Sequence, residues 1–368
     1  MAKKNEYQHF VPQMYLRNFS SNGKSIGGFL LADRKYVPDM SIDRVCGRKH
    51  LYGEDLKIEK WFSDLEGNWA SLLRKIISQK NLDLSEEDWA YLYMFVYLSD
   101  ARTGYIADST VDYSTKMAKS IALLGHEHGL IDFSDEEIKN LHVSIDKPNL
   151  AHLQSMPTGI EVMEDLAPAL IINSTGKGFI TSDCPMMKYN PLFVKRRYHR
   201  NSGLGQVGAQ ILLPISPDLC FFLYDPAVYE LKLKDRVFTM SSPDQVIKLN
   251  SLLARNAKAS VYFNKIEPQW LIEKYTHGVK NTSDVFNNAL MRGESGGYLI
   301  VSSNSSTMYD AKLSFYSIRK EFFKVPFPNH MAGPLRPNAQ RVAERLRKDK
   351  PAPKAFGDTF RRVDDVNG

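Results

Sequence analysis

Apolar side chains recur every three or four residues in the first half of the chain, which is the spacing of one buried face of an α-helix. The pattern is clearest over residues 58–79, and it returns over residues 85–102 and 105–125. Asp83 or Ser85 is expected to cap the second of these helices, with three acidic residues in its first turn, where the helix dipole favours acids. The spacing predicts a largely helical region over about residues 58–147.

The second half of the chain instead shows short apolar runs that end at Gly, Pro, Asn or Asp, the pattern of β-strands. Strands are predicted over residues 169–173, 178–181, 211–215, 219–224, 260–264, 299–303 and 312–318. Helices are predicted over residues 161–167, from Asp225, and from Ser242 to Ala257, with an early hairpin over residues 26–37. Strands and helices do not alternate regularly. The predicted fold class is therefore α+β, with a helical N-terminal half packed against a mixed β-sheet of about residues 168–320.

The length of 368 residues suits one large domain or two of ordinary size. Residues 1–325 are predicted to form a single α+β domain whose two halves share one core. Residues 326–368 differ in composition, being rich in Pro, Lys and Arg, with nine basic and three acidic residues over 336–362. This basic tail is predicted to be partly disordered, with a helix over residues 338–348.

The composition also bears on the cellular compartment. Hydrophobic residues make up 43% of the chain and charged residues 24%, as in globular proteins. Three cysteines are too few and too widely spaced for a disulfide framework or a cysteine zinc site, which favours a reducing cytoplasm. The chain shows no apolar run of membrane-spanning length and no secretory signal, so we expect a cytoplasmic protein without a membrane partner. The oligomeric state stays open.

A dense polar motif opens the chain between Gln8 and Phe19, where polar side chains stand among apolar ones. His9 suits a general base or a metal ligand because its ordinary pKa lies near neutrality. Gln13 and Arg17 are one helical turn apart, so they would share one face and suit a phosphate or a carboxylate. The alternative is that the motif anchors the chain and that its polar groups satisfy the nearby backbone.

A second polar stretch, Thr181–Pro185, follows a predicted strand. Asp183 at its centre would stand where a rigid element ends, which is a common position for a site residue. The alternative is a turn in which the carboxylate accepts hydrogen bonds from its own backbone. The opening motif is predicted to lie against this stretch.

Three polar residues stand among apolar neighbours in the predicted helices. Glu66 and Arg102 would need partners if they are buried, so one interpretation is a structural ion pair between two helices. The other is that Glu66 joins His9 and Asp183 as ligands of Mg²⁺ or Mn²⁺, while Arg102 binds an anionic substrate. Asn250 would bond either to another element of the fold or to a ligand.

A basic cluster at residues 195–200 contains an interleaved tyrosine, and Arg196 and Arg197 are its candidates for phosphate contacts. A solvated loop is the alternative, and the formal net charge of +6 permits a polyanionic partner without requiring one. Gly203–Ala209 matches the pattern G-x-G-x-x-G/A, but a predicted strand follows where a dinucleotide fingerprint needs a helix. We therefore reject a dinucleotide site there and favour a loop that moves over a ligand.

The residues from His9 to Phe19 resemble the N-terminal signature of a bacterial protein family of unknown function, DUF4238. Further stretches are similar to the same family: Trp61–Glu66, Ile180–Pro185 with Leu213–Pro217, and Leu249–Asn250 followed by Asn256–Ala257. The resemblance covers roughly residues 5–265. It implies a unit of that length and a set of motif residues, and it implies no particular reaction.

Two functional hypotheses follow from these residues. The first is a hydrolase that acts on a phosphodiester or a nucleotide, a nuclease-like effector in which His9, Asp183 and Glu66 are catalytic. Arg17 and Arg102 would then stabilise charge on the substrate, with Mg²⁺ or Mn²⁺ as the metal. The second is a noncatalytic module that binds nucleic acid or another anionic ligand. Convergence of the three catalytic candidates favours the first hypothesis, and a Glu66 engaged by Arg102 favours the second.

Overall fold

The computed structural model describes residues 6–194, 203–264, 266–279, 286–293, 298–304, 309–322, 334–348 and 360–362. The helices are α1 Gln13–Arg17, α2 Lys57–Gln79, α3 Glu86–Ala101, α4 Gly104–Glu127, α5 Asp135–Asn140, α6 Leu150–Gln154, α7 Met156–Met163, α8 Pro243–Ala254, α9 Gln269–Tyr275 and α10 Pro337–Lys348. The first strands are β1 Tyr7–His9, β2 Ser25–Leu30, β3 Lys35–Ser41, β4 Gly47–Lys49, β5 Ala167–Asn173, β6 Thr181–Ser182, β7 Met187–Tyr189 and β8 Gln210–Ser216. The later strands are β9 Leu219–Tyr224, β10 Tyr229–Leu231, β11 Val237–Met240, β12 Ser260–Phe263, β13 Phe286–Gly293, β14 Tyr298–Asn304, β15 Tyr316–Ile318 and β16 Phe360–Arg362.

A mixed five-stranded sheet forms the centre of the fold, in the order β11-β5-β9-β8-β7. Strands β11 and β5 are parallel, and the other pairs are antiparallel. Every residue of β8 and β9 is buried. Elements cover both faces of the sheet, which is why these strands read as continuous apolar runs. Leu213 and Phe221 face one apolar cluster, while Leu212 and Phe222 face another.

The helical N-terminal region covers one face of this sheet, as predicted. Trp69 of α2 packs against Phe95 of α3 with ring centroids 5.5 Å apart, in the same cluster as Leu213 and Phe221. Ser85 caps α3 in a reciprocal arrangement with Asp88, so the predicted helix start is confirmed. The α+β class and the helical half on a mixed sheet are both confirmed.

A second, antiparallel sheet has the strand order β3-β2-β12-β6 and contributes residues to both apolar clusters. The predicted early hairpin is its β2–β3 pair. The strand predicted over residues 178–181 is reduced to β6, which pairs with β12 and not with β5. The second polar stretch therefore joins this sheet, where β12 supplies its backbone partners.

Some predicted elements were wrong. Residues 161–167 do not form one helix, because α7 ends at Met163 and β5 begins at Ala167. Asp225 does not start a helix either. Its carboxylate accepts hydrogen bonds from the backbone N–H of Gly208 and Ala227, and this closes a turn. Of the strand predicted over residues 312–318, only β15 is formed.

Part of the predicted tail is docked on the domain. Helix α10 packs against α7, and the buried Arg336 just before it forms an ion pair with Asp165. The Arg336 guanidinium also donates to the carbonyl oxygen of Val162 at 2.8 Å. The predicted helix over residues 338–348 is thus present. Residues 326–333, 349–359 and 363–368 of the tail lie outside the described part.

Candidate functional site

The opening motif and the second polar stretch meet at Tyr15, which is 1% exposed. Its hydroxyl donates to the carbonyl oxygen of Pro214 at 2.6 Å. The same oxygen lies 2.6 Å from Thr181 Oγ1. Because a hydroxyl has one hydrogen, Thr181 is the donor in this second bond. The prediction that the opening motif lies against the stretch carrying Asp183 is confirmed.

Three side chains of the opening motif form a hydrogen-bonded string. Arg17 Nη2 donates to Gln13 Oε1 at 2.7 Å, which turns Gln13 Nε2 toward His9 Nε2 at 3.2 Å. An amide nitrogen can only donate, so in this contact His9 Nε2 is the acceptor of a neutral ring with its hydrogen on Nδ1, while the Asp43 carbonyl oxygen, 3.3 Å from Nε2, competes by favouring a hydrogen there. Burial lowers the pKa of His9, which favours this neutral form. Gln13 and Arg17 share one side of α1, as predicted.

Exposed cations stand on the end of α1 and on two neighbouring segments. Arg17 lies at the end of α1, Lys24 in the turn that follows, and Arg44 in a short 3₁₀ turn whose Ile42 N–H donates to the Lys24 carbonyl oxygen at 3.0 Å. Among the described residues, none of the three cations forms an ion pair. We call the surface formed by His9, Gln13, Arg17, Lys24 and Arg44 the α1 face. Asp43 adds one exposed acid beside it.

Arg102 lies beneath this surface and is 1% exposed. Its three nitrogens donate to His9 O at 2.6 Å, to Glu66 Oε1 at 3.2 Å and to the Tyr52 hydroxyl at 3.4 Å. Its guanidinium carbon lies 3.8 Å from the centroid of the Phe62 ring. Because Arg102 is buried and each of its nitrogens has a protein acceptor, these contacts fit the structural ion pair better than the predicted contact with an anionic substrate. Arg102 joins β1 to α2 and the end of α3.

Two carboxylates of α2 flank Arg102. Glu66 accepts its hydrogen bond, as the structural interpretation predicted, and so it is engaged by a protein cation. Glu59 lies two helical turns earlier on the same face, and its buried Oε2 has no hydrogen-bond partner. Burial raises the pKa of Glu59, and Arg102 opposes that rise. The sequence analysis missed Glu59, although its spacing of seven residues from Glu66 was a readable signal.

Asp183 is 7% exposed, and the protein itself engages its carboxylate. Oδ1 accepts from the backbone N–H of Lys258 at 3.0 Å, and Oδ2 accepts from that of Ala259 at 2.7 Å. Burial raises the pKa of Asp183 to about 6, and these N–H bonds oppose the rise. The carboxylate therefore fixes the turn before β12. Its partners are mainly in a distant backbone segment, Lys258 to Ser260, and its own backbone also contributes, as the turn alternative predicted.

The structure does not assemble the predicted metal centre. His9 faces Gln13, Glu66 faces Arg102, and Asp183 faces the turn at Lys258. Within the described ranges, no group of three or more His, Cys, Asp or Glu side chains is placed to hold a metal ion. The three side chains predicted as Mg²⁺ or Mn²⁺ ligands are thus engaged separately in this structure.

Asn250 is also structural. It is fully buried, its Oδ1 accepts from Ile180 N–H at 3.2 Å, and its Nδ2 donates to Gly178 O at 2.8 Å. Its amide bonds to another element of the fold, which was one of the two predicted roles, and is not exposed for a contact with a substrate. Asn256, which was not predicted as a site residue, acts in the same way and donates to Cys184 O at 2.6 Å.

The glycine-rich segment is held in place. The N–H of Arg336 donates to Gly205 O at 2.8 Å, and a Cβ on Gly205 would lie 2.6 Å from the Ala339 side chain. Close packing against α10 thus explains this glycine, and the movement of the segment over a ligand stays a prediction. Strand β8 follows the segment, in agreement with the rejection of a dinucleotide site. Arg196 and Arg197 lie outside the described residues.

These contacts define an α+β protein in which the polar motif residues mainly form hydrogen bonds between distant elements. We call each residue with such bonds a joint. The chain belongs to the family described as protein of unknown function (DUF4238), whose model matches residues 7–267. Every joint described above from Tyr15 to Asn256 lies within that match, whereas α10 lies beyond it. Searches of curated proteins and of solved structures gave no match. Among the helices of the described residues, none is long and apolar enough to cross a membrane.

Proposed function

We propose that this protein is a noncatalytic module that binds an anionic ligand, nucleic acid or a nucleotide, at the α1 face. One observation carries the proposal. The carboxylates predicted to be catalytic are engaged by protein donors, whereas Arg17 is exposed and held in position by Gln13. A guanidinium fixed in this way has donors directed to solvent, which suits phosphate oxygens. Lys24 and Arg44 add charge to the same surface.

The ligand contacts are expected to be of the phosphate type and to carry little sequence information. Arginine and lysine contacts to phosphates release counterions, so the affinity should fall steeply with salt. The α1 face has a small number of cations, and Asp43 lies among them, so we expect moderate affinity. The unpaired, buried state of Cys46, Cys184 and Cys220 supports the further inference that the protein works in a reducing compartment, the cytoplasm.

A hydrolase that acts on a phosphodiester or a nucleotide is the second candidate, and the state of His9 favours it. Its pKa is lowered, its Nε2 is an acceptor, and the charges of Glu66 and Arg102 act on it. A neutral imidazole at a half-exposed position suits a general base. In this version Arg17 would bind the substrate phosphate, and Mg²⁺ or Mn²⁺ would have to come with the substrate.

One binding experiment tests the main proposal. Fluorescence anisotropy would measure binding of labelled single- and double-stranded DNA and RNA at several salt concentrations. The variant R17A/K24A/R44A should bind at least about tenfold more weakly at low salt, and the slope of log K against log salt should fall by about 2 to 3. The control K232A/K234A/K320A removes the same charge from exposed positions elsewhere.

The outcomes separate the candidates. Equal weakening in both triple variants would show a general charge effect and would contradict binding at the α1 face. Cleavage of the same substrates, run with and without Mg²⁺ or Mn²⁺ and lost in His9→Ala, would replace the binding module with the hydrolase. If the protein shows no binding and no cleavage, both candidate functions are refuted.

A further inference from the structure

A polar cluster lies inside the molecule on the face of the central sheet away from α2 and α3. Gln210 begins β8 and stands between Tyr189 of β7 and Tyr224 of β9, which are its cross-strand partners. The side chains of such partners lie on the same face of the sheet. Tyr316 faces the amide from β15, and this interaction opposes the rise in the pKa of Tyr316 that burial causes. We call these four residues the Gln210 cluster.

The amide of Gln210 is buried, with the Tyr316 hydroxyl as the nearby hydrogen-bonding group. The residue is 1% exposed, and among the described residues neither Nε2 nor Oε1 has a partner at normal hydrogen-bond geometry. Folded proteins rarely leave a buried donor and a buried acceptor unpaired on one side chain, because each has lost its water. The nearby Tyr189 hydroxyl accepts from Ala311 N–H at 3.2 Å, which leaves its own hydrogen to donate.

Packing gives no reason for a glutamine at this position. The next residues of β8 are apolar and completely buried, and the rings of Phe222 and Tyr224 stack nearby at 5.4 Å. An apolar side chain of similar length would fill the same space at no polar cost. A residue that breaks this rule without compensation in the free protein marks a functional position.

We propose that the Gln210 cluster is a binding site for a planar heterocycle that offers a donor beside an acceptor, as a nucleobase does. A carboxamide pairs with such an edge through two hydrogen bonds, one from its nitrogen and one to its oxygen. The tyrosine rings supply aromatic faces, and the Tyr189 hydroxyl supplies a further donor. This site lies apart from the α1 face and does not depend on the function proposed there.

Residues 309–316 cover the cluster, and a ligand would enter by displacing them. Two hydrogen bonds hold this segment, from Ala311 N–H to Tyr189 and from Ser314 N–H to Gln245 Oε1 at 2.7 Å. The pairing of β15 with β10 holds its end. The cover lies beyond the region that the family model matches, whereas Gln210 lies within it.

Two matched substitutions test the state of the amide. Gln210→Met removes an unpaired amide, so it should raise the Tm of the free protein by about 2–4 °C. Gln245→Met makes the same chemical change where the amide oxygen is paired with Ser314 N–H, so it should lower the Tm. A Gln210→Met protein that is no more stable than the wild type would overturn the proposal.

Thermal-shift and calorimetric titrations with adenine, cytosine and uracil test the ligand. At least one base should raise the Tm of the full-length wild type by a few degrees at saturating concentration, and Gln210→Met should abolish that shift. Tyr316→Phe, which keeps the ring, should weaken it. No shift with any base, or the same shift in Gln210→Met, would overturn the proposal and leave only ordered water at the amide. Arg17→Ala should leave the base shift unchanged, so this test and that of the α1 face fail independently.

Discussion

The two polar stretches of this protein look alike as residue lists but use their polar groups in opposite ways. In the opening motif, side chains bond to side chains at a partly exposed surface, as in the string from His9 through Gln13 to Arg17. In the second stretch, the carboxylate of Asp183 is buried and accepts hydrogen bonds from backbone N–H groups, chiefly those of the turn before β12. The first arrangement leaves the donors of Arg17 for a ligand, whereas the second uses the acceptor oxygens of Asp183 within the fold.

The difference shows what separates a candidate site from a structural joint. Both stretches are dense in polar residues, so density alone does not indicate function. The deciding quantity is whether the backbone nearby has unpaired groups that need a side chain. The turn before β12 has such groups and takes Asp183, whereas the backbone of α1 satisfies itself and leaves Arg17 to solvent.

The largest expected effect is on stability, from Asp183→Ala. The substitution leaves the part-buried N–H groups of Lys258 and Ala259 without their charged acceptor, so the free energy of unfolding should fall by about 3 kcal/mol at pH 7. Urea denaturation would measure it, with the exposed Asp39→Ala as a control that should change stability by less than about 0.5 kcal/mol. A stable Asp183→Ala protein that loses an activity would instead return Asp183 to the candidate catalytic residues.

The pH dependence of stability gives the next largest effect. The pKa of Asp183 is raised to about 6 in the folded protein, against an ordinary value of about 3.9 in the unfolded chain. Between these values the folded state holds a proton that the unfolded state has lost. The stability contributed by this group is therefore complete below pH 4 and declines by about 2–3 kcal/mol as the pH rises through 6.

Asp183→Asn should lack this decline, because the amide does not titrate. The difference in unfolding free energy between the wild type and Asp183→Asn, measured by urea denaturation from pH 4.5 to pH 7.5, should therefore fall with rising pH. A difference that stays constant over this range would mean that the carboxyl group has the same pKa in both states.

More of the fold than of the candidate site could be predicted from the sequence. Helices α2 and α3 and the β8–β9 pair follow from apolar periodicity, which is a local property of the chain. The pairing of β6 with β12 was missed, because two residues carry no periodicity and their partners are about eighty positions away. The role of Asp183 was missed for the same reason. Its residue type was noted, but its partners Lys258 and Ala259 are distant in the sequence and cannot be predicted from its neighbours. Gln210 gave no signal at all.

Tyr15→Phe should have a smaller effect, and it tests the joint between the two stretches. The loss of the bonds to Pro214 and Thr181 should lower the free energy of unfolding by about 1–2 kcal/mol. Tyr7→Phe, which removes an exposed hydroxyl, is the control. Thr181→Val combined with Tyr15→Phe should cost less than the sum of the single changes, because both remove the same bond. Additive costs would show that the two hydroxyls are not coupled in solution.

The smallest change in stability is expected for Gln13→Ala. This variant tests most directly whether side chains of the opening motif act on one another, which is the feature that the second stretch lacks. Gln13 donates to His9 Nε2 and so favours the neutral ring. Without it, Nε2 can take a proton and donate to the Asp43 carbonyl oxygen, which lies 3.3 Å away. The pKa of His9 should therefore rise, as an NMR titration of its ring proton would show.

Arg17→Ala should act in the same direction, because Gln13 is then free to turn its oxygen toward a protonated His9. Loss of a nearby positive charge would also raise that pKa, so Lys24→Ala is the control: it removes the same charge from the α1 face and has no bond to Gln13. If the pKa of His9 rises more in Arg17→Ala than in Lys24→Ala, Arg17 acts on His9 by fixing the orientation of Gln13 as well as by its charge. Equal rises would reduce the opening motif to a set of independent charges and would remove the feature that distinguishes it from the second stretch.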